Sequence, residues 1–228
     1  MFPQPEPQVA VAPTAQAAAE AAAVQIARRA RAAVAEHGSF TLAVSGGRSP
    51  WRMLAALATQ DMPWAGTTLF QVDERIGPAD DPLRNLTGIR RALPAGCPAR
   101  VVPMPVEDDD LEAACARYAA ELPRALDLIH LGLGADGHTA SLIPGDPVLG
   151  ITEADISLTG VYQDRRRMTM TYPAIGRARA ILWLVTGADK RTGLARLRDH
   201  DRSIPAGRVT NTDQVLFCDD AAVGSTGV

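Results

Sequence analysis

The sequence predicts an α/β domain with a doubly wound, mostly parallel sheet and helices on both faces. Three observations predict it. Short apolar runs alternate with helix-forming segments in the order β, α, β, α, β, α, β, α, with short connections, as expected of successive βαβ units. Three of the runs stop in glycine-containing turns, at Ser45–Gly47, Gly132–Gly137 and Gly187. The chain is 46 % hydrophobic but only 4 % aromatic, so its core is built from Ala, Leu, Val and Ile, the residues of doubly covered strands.

In chain order, residues 1–12 are proline-rich and read as a flexible arm. Residues 13–36 carry Ala, Glu, Gln and Arg around Val24, Ile26 and Val34 and read as a helix opened by Pro13 and closed near Gly38. Phe40–Val44 is a strand running into Ser45-Gly46-Gly47-Arg48-Ser49-Pro50, and a helix from about Trp51 to Thr59 follows, with Pro50 at its start. Thr67–Val72 is a strand ending in Asp73-Glu74-Arg75, followed by a polar loop over 76–83 and a helix over Asn85–Leu93. Val101–Val102 is a short strand. Glu107–Asp110 place acids before the helix from Leu111 to about Leu122, where they complement its dipole.

Residues 127–133 form the central strand, and a looser stretch reaches 166. In Arg167–Thr171 alternation puts Arg167, Thr169 and Thr171 on one face and the methionines on the other. Ala180–Val185 is a buried strand entering, through Gly187–Arg191, a helix that ends near Arg198. Val215–Cys218 is the last strand. The domain spans 13–220, and 221–228 reads as a frayed tail.

Composition removes several functions. The formal net charge of -3 supplies no global field for nucleic acid. No apolar run approaches the roughly 20 residues of a membrane span. Cys97, Cys115 and Cys218 are odd in number without CxxC spacing, and read as small buried hydrophobes of a reducing compartment. The opening Met-Phe-Pro-Gln-Pro-Glu-Pro has neither the basic nor the apolar region of a signal peptide, so a cytoplasmic protein is expected.

The chemistry collects at the glycine turns. The 45–49 loop is a strand, glycine turn and helix start, the arrangement that aims free backbone N–H groups at an anion. Of 23 basic residues only Lys190 is lysine. It stands at a helix N-terminus, where the dipole disfavours a cation unless an anion shares the site. His138 is the candidate general base, with Asp136 two residues away to orient it directly or through the loop backbone. His37, His130 and His200 read as structural or exposed.

One match misleads. Gly132-Leu-Gly-Ala-Asp-Gly137 has the G-x-G-x-x-G form of a dinucleotide fingerprint, but Pro144 leaves scarcely a turn for the helix that the fingerprint requires. The sequence contains no Walker-type loop, no H-E-x-x-H and no G-x-S-x-G.

Taken together, the motifs resemble the glucosamine-6-phosphate isomerase/6-phosphogluconolactonase family. Ser45-Gly-Gly-Arg-Ser-Pro50 resembles its S-G-G-x-[ST]-P loop. Asp73-Glu-Arg75 with Asn85 is similar to its D-E-R…N segment, and Leu131–Pro144 to its most specific signature. Arg167–Pro173, Gly187–Lys190, and Ile204–Ala206 with Asp219 resemble later blocks, all in family order. Arg84, Ile143 and Ile175-Gly176 depart from the usual Ser, Phe and Leu-Asn.

The resemblance implies a glucosamine-6-phosphate deaminase/ribose-5-phosphate isomerase-like fold. It also implies hydrolysis of 6-phospho-D-glucono-1,5-lactone to 6-phosphogluconate in the pentose phosphate pathway. Under it His138 and Asp136 are catalytic. Ser45, Gly46, Gly47, Arg48, Asp73, Arg75, Asn85, Arg167 and Lys190 bind the substrate and its phosphate. No metal and no cofactor are expected, and the partner is a small phosphorylated sugar lactone rather than nucleic acid or membrane, acted on by a monomer or weak homodimer.

Two other readings stand beside this one. Glucosamine-6-phosphate deaminases are similar around Asp-Gly-His but carry a Glu shortly after the His, and residues 139–143 here are Thr-Ala-Ser-Leu-Ile. A non-catalytic sugar-phosphate sensor would call for a DNA-binding segment, which neither 1–12 nor 221–228 resembles.

Overall fold

A seven-stranded parallel sheet carries the molecule. The computed structural model describes residues 7–224. Its elements are β1 (Gln8–Ala12), α1 (Ala15–His37), β2 (Phe40–Val44), α2 (Arg48–Leu57), β3 (Thr67–Gln71), β4 (Asp73–Arg75), α3 (Asn85–Ala92), β5 (Arg100–Val102), α4 (Leu111–Glu121), β6 (Leu128–Leu131), β7 (Ile156–Leu158), β8 (Arg167–Met170), α5 (Tyr172–Gly176), β9 (Ile181–Val185), α6 (Arg191–Arg198), β10 (Gln214–Asp219) and α7 (Asp220–Val223). The large sheet has the order β1-β10-β9-β6-β2-β3-β5, every pair parallel. A second sheet, β4-β8-β7, is antiparallel.

Strand alternation divides the core. Leu42, Val44, Leu69, Leu128, Leu182 and Leu184 pack with the alanine face of α1 and with α2. Ala43, Phe70, Ile129, Leu131, Ile181, Trp183 and Val185 pack on the other side with α4, α6, Met168 and Met170. Both faces of the central strands β2, β3, β6 and β9 are therefore covered, which is why they read as apolar runs. The alanines of α1 let its backbone lie close to the sheet. Thr14 caps the start of α1 by accepting from Ala17 N–H, and Gly38 closes it at φ 84, a left-handed position that glycine occupies without strain.

Several expectations change. Residues 8–12 are not part of a loose arm: they form β1, paired with β10 from Gln8↔Val215 to Ala12↔Asp219. Residues 1–6 lie outside the described residues. The tail is not frayed from 221, because α7 runs to Val223, capped by the Asp219 side chain, with Ala222 buried. Residues 225–228 lie outside the described residues. Helix α2 starts at Arg48 rather than near Trp51, with Pro50 third, where its missing N–H is still one of the unbonded first turn.

Asp73–Arg75 is a strand of its own. Val72 donates to Val44 O and accepts from Met170 N–H, so the chain crosses there from the large sheet to the small one. The stretch after Gly134 contains turns and no α-helix before α5, contrary to a dinucleotide fingerprint.

Candidate active site

The strand order places a crevice. From β2 the chain runs to β3 and β5 on one side, then returns to lay β6, β9 and β10 on the other. In open α/β sheets ligands bind outside the strand C-termini at such a switch point. Here the loops after β2, β6 and β9, with residues of β4 and β8 and the start of α3, line a cleft of about 240 Å³.

The β6 loop supplies the acid–base pair. His138 Nδ1 lies 2.6 Å from Asp136 Oδ1, and the same oxygen accepts from His138 N–H at 3.2 Å. Gly134 makes this possible, since a Cβ there would lie 2.1 Å from His138 Nδ1 and 2.6 Å from Asp136 Oδ1. Gly137 is required twice: its φ is 85, and a Cβ would lie 2.6 Å from Ile204. Pairing Nδ1–H with the carboxylate leaves Nε2 as the basic nitrogen. Burial pushes the Asp136 carboxyl up, but the neighbouring His138 charge and hydrogen bonds from His138 and Tyr162 outweigh it and hold the group below its ordinary value. Asp136 is thus ionised at neutral pH. Tyr162 Oη donates to Asp136 Oδ2 at 3.1 Å, and its ring meets His138 edge-on at 5.5 Å.

The β2 and β9 loops supply an anion-binding wall. Gly47 precedes α2 at φ 127, and no side chain caps that helix, so its N-terminal N–H groups are available to a ligand. Lys190 precedes α6, also without a side-chain cap, with Nζ 3.1 Å from Asp189 Oδ2. The two loops are tied together by Ser49 Oγ and Thr186 Oγ1 at 2.6 Å. Gly187 N–H donates to Asp219 Oδ1, the oxygen that also caps α7. Ser45 is held from below, its N–H donating at 3.4 Å to Nδ1 of His130 and its Oγ at 3.1 Å to His130 O. Burial pushes the His130 pKa down to about 3, so this imidazole is neutral.

The small sheet adds the rest. Asp73 Oδ2 accepts from Ser141 Oγ at 2.6 Å and Oδ1 from Asn85 Nδ2 at 3.2 Å. Asn85 lies across Gly46, where a Cβ would fall 1.7 Å from Asn85 Oδ1. Arg75 Nη1 donates to Leu83 O at 2.5 Å. The Arg167 guanidinium sits 5.1 Å from the Tyr162 ring centre, and burial lowers its pKa. Between Asp73 and Arg75 in β4, Glu74 turns the opposite way and is fully buried. It accepts from Gln71 Nε2 and from the N–H groups of Arg75, Asn85 and Leu86, with Arg84 Nε at 3.6 Å.

Ser45, Gly46, Gly47, Arg48, Asp73, Arg75, Asn85, His138, Arg167 and Lys190 all line the cleft. Asp136 stands behind His138. His130 is structural. The sequence reading missed Tyr162, Ser141 and Thr186; Ser141 sits inside the Leu131–Pro144 motif and Thr186 directly before Gly187, whereas Tyr162 had no motif to mark it. Among the described residues, no group of three or more His, Cys, Asp or Glu side chains could hold a metal ion.

Known proteins share this sequence pattern and this fold. A family model described as glucosamine-6-phosphate isomerases/6-phosphogluconolactonase matches residues 13–218, and the chain belongs to that family. It is 38 % identical over 207 residues to a 6-phosphogluconolactonase of Synechocystis, covering 84 % of this chain and 85 % of the relative. The crystal structure of a 6-phosphogluconolactonase from Shewanella baltica superposes with a TM-score of 0.86 at 25 % identity, covering 94 % of this chain and 98 % of that one. A monomeric glucosamine-6-phosphate deaminase superposes almost as well, with a TM-score of 0.85 at 20 % identity, covering 96 % of this chain and all of the other at 100 %. The expected fold is shared by both activities, so fold alone does not choose between them.

Proposed function

We propose that this protein hydrolyses 6-phospho-D-glucono-1,5-lactone to 6-phosphogluconate. The observation that carries the reading is the Asp136–His138 pair, 2.6 Å apart, on a cleft whose other lining includes Arg48, Arg75, Arg167 and Lys190. The named lactonase relatives support it. The carboxylate bonded to His138 is Asp136, two residues before it, and residues 139–143 carry no acid. This favours the lactonase over a deaminase reading.

In the proposed mechanism, Nε2 of His138 takes a proton from water as the water oxygen attacks the lactone C1 carbonyl. Asp136 holds the ring and stabilises the imidazolium that forms. Backbone N–H groups of the glycine loops steady the oxyanion. On collapse the bond from C1 to the ring oxygen breaks, and the imidazolium returns its proton to that oxygen, leaving the free acid and neutral His138. The 45–49 loop, the arginines and Lys190 hold the phosphate and hydroxyls. Three unpaired cysteines fit the cytoplasm as compartment. The protein is proposed to act as a monomer or weak homodimer.

The test is a lactonase assay on freshly prepared substrate. His138→Ala is expected to lower kcat by at least about 10²-fold, the lower range for losing a general base, with thermal unfolding unchanged. Near-wild-type turnover would refute the mechanism.

A further inference from the structure

The segment between β7 and β8 closes over the acid–base pair as a tight hairpin. Tyr162 N–H donates to Arg165 O at 2.9 Å, and Arg165 N–H to Tyr162 O at 3.3 Å. The two turn residues, Gln163 and Asp164, have φ 50 and 63. That is a two-residue turn with both central residues left-handed, a conformation normally given to Asn and Gly, and Gln adopts it with strain. Strain retained beside a site is a reason to ask what it positions.

Three anchors hold the hairpin in place. Arg165 pairs with Asp81. Gln163 Oε1 accepts from Arg167 Nη2 at 3.2 Å. Tyr162 reaches Asp136, His138 and Arg167 from behind the cleft wall. Its Oη holds Asp136 Oδ2 at 3.1 Å, while Asp136 Oδ1 holds His138 Nδ1 at 2.6 Å. Its ring lies edge-on to His138 and under the Arg167 guanidinium at 5.1 Å. Tyr162 is not among the residues lining the cleft, so it acts through its neighbours.

We infer that Tyr162 is a positioning residue for the hydrolysis, its hydroxyl fixing the rotation of Asp136 and its ring fixing where Arg167 presents charge. This rests on the lactonase reading. A carboxylate with one oxygen on His138 and the other on Tyr162 cannot rotate without breaking a bond. Without the hydroxyl Oδ2 is unheld and only the two bonds of Oδ1 to His138 N–H and Nδ1 restrain the carboxylate, so the alignment of His138 toward water loosens. Without the ring, Arg167 loses its platform as well. The hydroxyl therefore serves turnover, and the ring serves substrate binding.

Two variants of the full chain separate these roles. Tyr162→Phe removes the hydroxyl and keeps the ring. It is expected to lower kcat about 10-fold, the effect of one hydrogen bond in the transition state, with KM within about twofold. Tyr162→Ala is expected to lower kcat similarly and to raise KM at least about fivefold, through the lost cation–π contact. In an Asp136→Asn background, adding Tyr162→Phe is expected to change kcat less than about twofold, since the two act as one unit. Wild-type kcat in Tyr162→Phe, or full additivity with Asp136→Asn, overturns the inference for the hydroxyl; an unchanged KM in Tyr162→Ala overturns it for the ring. His138→Ala is measured alongside. If that variant stays active the underlying mechanism fails, whereas an inactive His138→Ala beside a fully active Tyr162→Phe refutes this inference alone.

Discussion

His130→Asn tests the support beneath the anion loop. His130 is fully buried, its Nδ1 accepts from Ser45 N–H, and its Nε2 has no partner. Burial lowers its pKa to about 3, while in the unfolded chain it titrates near 6.5. Between these values the unfolded state binds a proton that the folded state refuses. Stability is therefore full above about pH 6.5, falls as pH is lowered, and stops falling near 3. At about 1.4 kcal/mol per unit over roughly 3.5 units the total loss approaches about 5 kcal/mol, of which about 2 kcal/mol falls between pH 7 and 5. Asparagine at this position offers Ser45 an acceptor and does not titrate. Urea unfolding at pH 7, 6 and 5 is expected to show wild type losing about 2 kcal/mol more than the variant over that interval. Parallel pH dependences in the two proteins would refute the assignment of His130 as a buried neutral base.

Other outcomes follow from contacts in and around the cleft. Gly46→Ala drives a Cβ to 1.7 Å from Asn85 Oδ1; it is expected to raise KM at least about tenfold and to cost about 1–3 kcal/mol, with Asn85→Ala in the same chain restoring the stability. Wild-type KM and melting temperature in Gly46→Ala would show that Asn85 does not need that gap. Lys190→Ala is expected to raise KM more than it lowers kcat, and equal hydrolysis of phosphate-free gluconolactone by wild type would refute the phosphate wall. Asp219→Ala strips one acceptor from both Gly187 N–H and the first turn of α7, at an expected cost of about 1–2 kcal/mol in denaturant unfolding; no change in unfolding would assign those bonds to solvent instead.

The sequence was most readable where residues act through burial or spacing. Continuous apolar runs such as Ile181–Val185 announce doubly covered strands, and all five residues of β9 are buried. Asp136 and His138, two apart after glycines, announce a paired site because a tight turn brings i and i+2 together. Where partners are distant the text is silent. Gln-Val-Ala-Val-Ala alternates as a strand should, yet it follows a proline-rich stretch and forms an edge with Val9 and Val11 exposed, so composition hid it. The second sheet is built partly from Asp-Glu-Arg, which has no hydrophobic period to read. Tyr162 is placed by a hairpin whose Gln163–Asp164 turn contains no glycine, so nothing in the string marks the turn.

The buried carboxylate of Glu74 has a consequence for the accuracy of the cleft. Strand β4 is three residues long, Asp73, Glu74 and Arg75, too short for pairing alone to resist a slip. A slip of one residue in a strand exchanges its two faces. Here it would turn Asp73 and Arg75 into the protein and leave Glu74 facing the cleft, so the positive charge of Arg75 would be lost to an incoming anion. Glu74 prevents this by holding Gln71, Arg75 and the first two residues of α3 at bond lengths between 2.7 and 2.8 Å. The arginine that β4 offers the substrate is thus kept in place by a side chain turned away from the cleft.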